Sequence, residues 1–504
     1  MCERVPPARF KLRDYQIDAE QMTRSAMARG ARRIVLYLPT GGGKTMTAAS
    51  IITKALAKGT KVVFVANRKQ LVAQTSKVLT NLGIHHGILQ AENTHSLDAR
   101  VLVASIDTVH LRGLPDDVGL LILDECHAVA GSEKYKKLLF KYNLVRTIGM
   151  TATPFARGMS KHYDQLGGPM FEELVVGATI QDLIEGGHLV DCDIFAPSEP
   201  DLHGVKIVAG DYAEKELGEA VDKPELIGDI VTHWFRLANG LQTVVFATNI
   251  PHSKHIVENF IAAGVTAEHI DYLHADDERE EILGRFARGE TMVLSNCALL
   301  SEGWDCPSTS VMILARPTRS LIRFLQMVGR ILRPSDGKAR ALLLDHSGST
   351  AILGHPCDDL PLVLDDGKPK KSTDKKIERP ERLPKKCPKC FFMKPAGVHA
   401  CPACQFAPER QSDVIVGAGE LVKVEHRKTL SRATKQSVYS QLLHIEHQRQ
   451  YKPGWSANQY RSIFEVWPRG MIEVTAPPTP EVLGKVRANQ IAYSKRREAI
   501  HGQA

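Results

Sequence analysis

A chain of 504 residues is long enough for about three to four ordinary domains, which excludes a single small binding module. Its 43% hydrophobic and 24% charged content is that of a globular protein and excludes wholesale disorder, a collagen-like fibre or a disulfide mini-protein. The net charge of +8 hides a division: residues 368–504 hold 26 Lys and Arg against 12 Asp and Glu, a surplus of +14, and the body before them carries −6. A basic appendage on an acidic body points to a grip on a polyanion, although Lys368, Lys370, Lys371, Lys375 and Lys376 also read as a solvated linker. No apolar stretch reaches the ~18 residues that cross a bilayer. Met1 to Leu12 carries Arg4, Arg9 and Lys11 with no apolar segment behind them, so the expectation is a chain without secretory leader or membrane partner in a reducing cytoplasm.

In chain order, short β-branched apolar runs alternate with helical stretches. Strands are predicted at Ile34 to Leu38, Lys61 to Ala66, Val101 to Ser105, Leu120 to Leu123 and Arg146 to Met150, with helices at Lys44 to Ala57 and Lys69 to Leu82. The alternation restarts after Pro200. Strands are predicted at Thr243 to Phe246, Ile270 to Leu273, Met292 to Ser295, Ser310 to Leu314 and Ala341 to Leu344, and helices at Ser253 to Ala263, Asp277 to Ala287 and Ser320 to Arg330. Two α/β parallel-sheet domains in tandem are therefore expected, at 1–196 and 197–364. Residues 365–384, rich in Lys, Asp, Pro and Ser, read as a linker that isolates a cysteine cluster at 385–408 and a basic module at 409–504.

The first strand runs into Thr40-Gly41-Gly42-Gly43-Lys44-Thr45 and then a helix. Glycines there let backbone N–H groups close on phosphates, Lys44 places a point charge on the β/γ oxygens, and Thr45 offers a hydroxyl to Mg²⁺. Leu38 stands where the strict phosphate-loop pattern has Gly, so the match is to its relaxed form. The fourth strand delivers Asp124-Glu125-Cys126-His127 to a sheet edge, where Asp124 would hold Mg²⁺ and Glu125 would orient or deprotonate an attacking water. Cys126 and His127 have no spaced partner for a metal of their own. Farther on, Gln326, Arg330 and Arg333 fall at i, i+4 and i+7, which predicts one helical face aimed at a common target.

These segments, with Thr151-Ala152-Thr153, resemble motifs I, II and III of superfamily 2 helicases of the DEAD/DEAH-box group. Arg13-Asp14-Tyr15-Gln16 resembles the segment in which Gln16 reads the adenine edge. Asn67-Arg68-Lys69-Gln70-Leu71 and Ala104-Ser105-Ile106-Asp107-Thr108 are similar to motifs Ia and Ib, which line the nucleic-acid track. Val245 to Asn249, Ser301-Glu302-Gly303-Trp304-Asp305 and Gln326 to Arg333 resemble motifs IV, V and VI. The resemblance runs from Arg13 to His346 and implies two RecA-like domains closing on ATP. Arg13, Gln16, Gly303 and Asp305 join the phosphate loop in binding nucleotide, Gln326 joins Glu125 in placing the water, and Arg330 and Arg333 act as arginine fingers.

Cys387-Pro-Lys-Cys390 and Cys401-Pro-Ala-Cys404 form two C-x-x-C knuckles, which point to a structural Zn²⁺ held by four thiolates. In the last region Trp455, Tyr460, Phe464 and Trp467 are interleaved with Lys and Arg. They read as a base-stacking platform, as the core of a small helical module, or as both. A helicase core followed by a zinc pair and such a tail is similar to RadD-type bacterial and phage DNA helicases. The expectation is an ATP- and Mg²⁺-dependent helicase or translocase on single-stranded or branched DNA, in repair, recombination or phage replication, with RNA the second choice of strand. The motor subunit of a restriction-type system and a nucleic-acid scaffold with a vestigial ATPase are the alternatives. The scaffold predicts decay at Lys44, Glu125 or Arg330, and all three residues are present.

Overall fold

The computed structural model describes residues 11–197, 224–358 except 302, residues 360, 362–368, 432–464, most of 467–489, and short strands at 207–208, 211–212, 385–386, 393–394 and 421–423. The four cysteines 387, 390, 401 and 404 lie outside the described residues, so the expected zinc site does too. The flanking strands Lys385–Lys386 and Met393–Lys394 pair antiparallel.

The first domain is built from α1 (Asp14–Ala28), β1 (Arg33–Tyr37), α2 (Lys44–Leu56), β2 (Lys61–Ala66), α3 (Lys69–Asn81), β3 (Gly87–Leu89), β4 (Val101–Ser105), α4 (Ile106–Arg112), β5 (Val118–Leu123), α5 (Glu133–Lys141), β6 (Arg146–Thr151) and β7 (Glu173–Val176). The strands form one parallel sheet in the order β3-β4-β2-β5-β6-β1-β7. A parallel sheet covered on both faces wants unbroken apolar strands. Ile34, Val35 and Leu36 of β1 and Leu121, Ile122 and Leu123 of β5 accordingly show no exposed surface. One face carries α1 to α3 and the other α4 and α5, each over its own apolar cluster.

A connector with the short helix α6 (Ile180–Glu185) leads to the second domain. That domain contains β8 (Cys192–Pro197), α7 (Pro224–Ala238), β9 (Thr243–Phe246), α8 (Ile250–Ala262), β10 (Ala267–Ile270), α9 (Asp276–Ala287), β11 (Val293–Asn296), β12 (Val311–Leu314), α10 (Leu321–Val328) and β13 (Ala341–Asp345). The second sheet runs β10-β11-β9-β12-β13-β8, all parallel, and then takes β14 (Leu421–Lys423) antiparallel on its edge. An apolar cluster shared by Leu38, Leu183, Leu189, Leu325 and Leu332 joins the two domains.

One finding differs from the sequence-based expectation, and a second chooses between its alternatives. The chain from Asp365 to Gly367, expected at the start of a free linker, returns to the first domain. The Gly158 N–H donates to Asp365 Oδ1 at 2.9 Å, the Ser160 N–H donates to the Asp365 carbonyl at 2.8 Å, and Leu364 packs on the first domain's core. In the C-terminal module, α11 (Arg432–Gln448) and α12 (Trp455–Phe464) close a core of Leu442, Tyr460 and Val486 with Trp455 and Phe464 against it. The aromatic pattern thus serves packing, while Trp467 stays at the surface with the Arg461 guanidinium 4.7 Å from its ring centre.

Candidate functional site

The C-terminal edges of both sheets face one cleft of about 670 Å³, lined by Thr40, Gly41, Gly43, Lys44 and Thr45, by Asp124 and Glu125, and by Gly303, Asp305, Arg330 and Arg333. Ligands of open α/β sheets bind at such edges, and here two edges meet. The turn between β1 and α2 needs its glycines. Gly41 and Gly43 have φ of +82° and +74°, and a Cβ on Gly43 would stand 2.3 Å from Gln16 Nε2. The free N–H groups at the start of α2 point where an anion would sit.

Lys44 Nζ lies 3.6 Å from Glu125 Oε1. Glu125 adopts φ 44°, a left-handed conformation that a residue with a side chain adopts only under constraint, and it aims its carboxylate at Lys44. Burial, reinforced by the neighbouring Glu125 charge, raises the Asp124 carboxyl above the usual carboxylate range. Burial acts on Glu125 in the same sense, but the Lys44 ammonium and His127 outweigh it and hold that carboxyl low. A buried carboxylate and a threonine hydroxyl that line the same anion cradle are a donor set suited to Mg²⁺, so Thr45 and Asp124 fit the expected metal.

His127 is the residue that reading the sequence undervalued. Its Nδ1 lies 3.3 Å from Glu125 Oε2 and 3.1 Å from Thr151 Oγ1, and its Nε2 lies 3.5 Å from Gln326 Nε2 of the second domain. It therefore ties the strand-end carboxylate to the Thr151-Ala152-Thr153 turn and across the cleft. Its signal in the sequence was its place as the last residue of the Asp124-Glu125-Cys126-His127 motif.

The three residues expected on one helical face are not on one helix. Helix α10 stops at Val328, and Arg330 and Arg333 follow in turns. Gly329, which caps the helix with right-handed angles of φ −56° and ψ −16°, lies against the phosphate loop, where a Cβ would come within 2.5 Å of Thr40 Cβ, and the chain beyond it continues in tighter turns. The side chains consequently diverge. Gln326 meets His127. Arg330 is buried and donates to the carbonyls of Ser301 and Trp304 at 2.9 and 2.6 Å, bracketing the loop that carries Gly303 and Asp305. Arg333 pairs with Asp305, and its Cγ lies 3.4 Å from the Cβ position of Gly41.

Gln16 is buried, and its carboxamide is already engaged. Oε1 accepts the Arg13 N–H at 2.9 Å, and Nε2 donates to the carbonyls of Gly42 and Gly43 at 3.3 Å. In this arrangement Gln16 is tied to the phosphate loop. Arg13 reaches the Tyr15 hydroxyl, which donates to the Gly42 carbonyl at 3.1 Å.

Neighbouring strands also bring the remaining motif residues together. The parallel register Ala66↔Ser105 sets Asn67-Arg68-Lys69 beside Ile106-Asp107-Thr108. The loop between β3 and β4 bridges them, since Gln90 Nε2 donates to the Lys69 carbonyl and the Ala91 N–H to Thr108 Oγ1. Across the cleft, Gln74 of α3 donates to the Gly303 carbonyl.

Comparison with known proteins agrees with this architecture. Residues 9–156 match the family described as type III restriction enzyme, res subunit, and residues 222–335 match the helicase conserved C-terminal domain. A 51.5 kDa protein of a Lactococcus phage is 27% identical over 402 residues, which is 78% of this chain and 83% of that protein. The Saccharomyces cerevisiae protein assigned as ATP-dependent helicase IRC3 is 28% identical over 367 residues, 68% of this chain and 52% of the relative. The chain thus spans about half the length of the yeast protein. Among solved structures, a fragment assigned as the HsdR subunit of a type I restriction enzyme from Vibrio vulnificus superposes with a TM-score of 0.55 at 20% identity, over 72% of this chain and 68% of that one, a likeness of fold. Two RecA-like domains, each with a matching family and with the motif residues of both on one cleft, make this chain a member of the superfamily 2 helicases.

Proposed function

We propose that the protein is a DNA-dependent ATPase that moves along DNA by cycles of closure between its two domains. One observation carries the reading: Lys44 and Glu125 of the first domain and Arg333 of the second converge on one cleft, so a nucleotide there would be held by both. The phosphate loop from Thr40 to Thr45 would cradle the phosphates, and Thr45 and Asp124 would hold Mg²⁺, which would supply charge neutralisation when bound. Glu125, kept ionised by Lys44 and His127, accepts the proton of the attacking water, and Gln326 acts on it through His127. Arg333 meets the charge that develops on the transferred phosphoryl group, while Arg330 holds Gly303 and Asp305 in place.

DNA is the strand this reading favours, because the first domain matches a restriction-enzyme family and its fold neighbour is assigned to a restriction system. A bacterial or phage setting in repair, recombination or replication is in keeping with the phage relative. The same comparisons favour a second reading, the motor of a restriction-type system, which predicts ATP-dependent cleavage of duplex DNA alongside hydrolysis. No helix among the described residues is long and apolar enough to cross a membrane. Spacing of the four cysteines, and the strand pair flanking Cys387 and Cys390, support one structural Zn²⁺ per chain, for which metal content of the purified protein is the check.

The test is the ATPase rate with single-stranded, forked and duplex DNA and with RNA as stimulators. At least ~10-fold stimulation by DNA over the basal rate is expected, as closure completes the site only on a bound strand. Equal rates with and without every nucleic acid would overturn the coupling. Stimulation by RNA alone would overturn the choice of strand.

A further inference from the structure

The segment that follows β13 belongs to neither sheet, yet it is fastened to both domains. It leaves the second domain through the short helix Ser349–Leu353, where Asp345 Oδ2 accepts the N–H and the hydroxyl of Thr350 at 2.8 and 2.6 Å. Cys357 and Leu360 then pack in the apolar cluster shared by the two domains. Pro356 and Leu360 close on a small gap there, with Thr40 and Ala152 of the first domain on one side and Leu325 and Gly329 of the second on the other.

A few residues on, the chain is bound to the first domain. Leu364 joins that domain's core, Ser160 Oγ donates to the Leu364 carbonyl at 3.3 Å, and the Ser160 N–H donates to the Asp365 carbonyl at 2.8 Å. Asp365 Oδ1 accepts two further N–H groups, from Gly158 at 2.9 Å and from Gly367 at 2.8 Å. The two glycines meet at this point: the Cβ position of Gly367 lies 3.4 Å from Gly158 Cα, and their φ angles of +75° and +83° are ones that favour glycine. Such a dock has a defined register.

What it grips is close to the chemistry. Gly158 and Ser160 lie on the loop that continues from Thr151-Ala152-Thr153, and Phe155 of the same loop packs against the shared cluster. Thr151 meets His127 at 3.1 Å, and His127 in turn touches Glu125 and, across the cleft, Gln326. The domains are therefore joined twice along the chain, once by the connector that carries α6 and once by the strap from Leu353 to Gly367.

We infer that this strap limits how far the cleft opens, with Asp365 as its latch. A tether raises the effective concentration of one half of a site around the other, and slack lowers it. With Asp365 docked, Gln326 and Arg333 stay within reach of the phosphate loop even when no DNA is bound. With the latch undone, only the connector and the shared cluster hold the domains, and unaided closure on nucleotide becomes rarer. Closure on a bound DNA strand changes little, because the strand itself brings the domains together. Asp365 is thus a positioning residue that acts through Gly158. The kinetic consequence rests on the ATPase reading, whereas the separation of the domains does not.

In the full chain, Asp365→Ala, Asp365→Asn, Asp366→Ala and an insertion of about ten Gly and Ser residues between Leu360 and Leu364 are compared. Energy transfer between dyes at positions 144 and 261, where Leu144 and Ile261 are exposed on the first and second domains, reads domain separation without nucleotide or DNA. ATP hydrolysis is measured with and without saturating DNA. Asp365→Ala should broaden the distance distribution and lower kcat/KM without DNA about tenfold, while the rate at saturating ATP and DNA stays within about twofold. Asp365→Asn keeps an oxygen for the Gly158 N–H and should recover most of the loss. Asp366, whose carboxylate accepts the Lys368 N–H at 3.0 Å, is the control and should change neither readout. The insertion leaves the dock intact but gives slack, so it should reproduce Asp365→Ala. An unchanged distance distribution in Asp365→Ala overturns the inference. So does an insertion that behaves like the unaltered protein, which would make Asp365 a local support of its loop, and so does an equal loss with and without DNA, the signature of partial unfolding. Absence of hydrolysis in the unaltered protein would instead strike the ATPase reading, and the distances would decide the strap by themselves.

Discussion

Arg333→Ala is expected to bind ATP and DNA normally and to lose of order 10³-fold in stimulated hydrolysis. The guanidinium belongs to the second domain, yet its stem touches the phosphate loop at Gly41, so it stabilises transition-state charge only while the domains are together. Burial lowers its pKa to about 10, which leaves it charged at neutral pH, and Asp305 holds its direction. Binding of a fluorescent ATP analogue and phosphate release, measured side by side, separate the two effects. Normal hydrolysis in Arg333→Ala would move the role of trigger to Arg330, whose guanidinium the structure shows bound to the carbonyls of Ser301 and Trp304.

Glu125→Gln should trap the nucleotide, with ATP bound at least as tightly as in the unaltered protein and turned over at least ~100-fold more slowly. The amide keeps the shape of the carboxylate but cannot accept the proton of water. It also removes the charge opposing Lys44 at 3.6 Å, which frees the ammonium for phosphate oxygens. Lys44→Ala provides the contrast, because it should fail at binding. Near-normal turnover in Glu125→Gln would take Glu125 out of the catalytic role. In that event His127, which touches Glu125, Thr151 and Gln326, would be the next residue to test.

Much of this was legible in the sequence because its signals are local. A phosphate loop needs contiguous glycines between a strand and a helix, and Asp124-Glu125 needs only a buried strand to carry it to the sheet edge. The inner strands of the first sheet and β9, β11, β12 and β13 of the second could be read from unbroken apolar runs, since strands covered on two faces have no polar alternation to confuse with a helix, whereas β3, β7, β8 and β14 were not read and β10 was placed three residues late. What escaped was decided by contacts between distant segments. Spacing alone put Gln326, Arg330 and Arg333 on one helix, but the helix ends at Val328 beside the phosphate loop and the two arginines follow in turns. Asp365 and Gly367 carry the composition of a linker because they dock through backbone groups and one carboxylate, which leave no apolar signature. The tail aromatics Trp455, Tyr460 and Phe464 stood open in the sequence between stacked bases and a helical core, and the structure spends them on a core.

The central claim is that ATP hydrolysis in this cleft moves the protein along DNA, and the most direct measurement is release of a fluorescent third strand from a DNA triplex, followed in real time beside ATP turnover. Release should require hydrolysable ATP, should begin later as the duplex leading to the triplex is lengthened, and should be abolished in Glu125→Gln although that variant still binds both ATP and DNA. For a protein that tracks one strand, a tailed or forked duplex losing its paired strand in the same ATP-dependent way is the equivalent result. Robust DNA-stimulated hydrolysis that displaces neither a third strand nor a paired strand, on any of these substrates, would contradict the claim and leave an ATPase that does not travel.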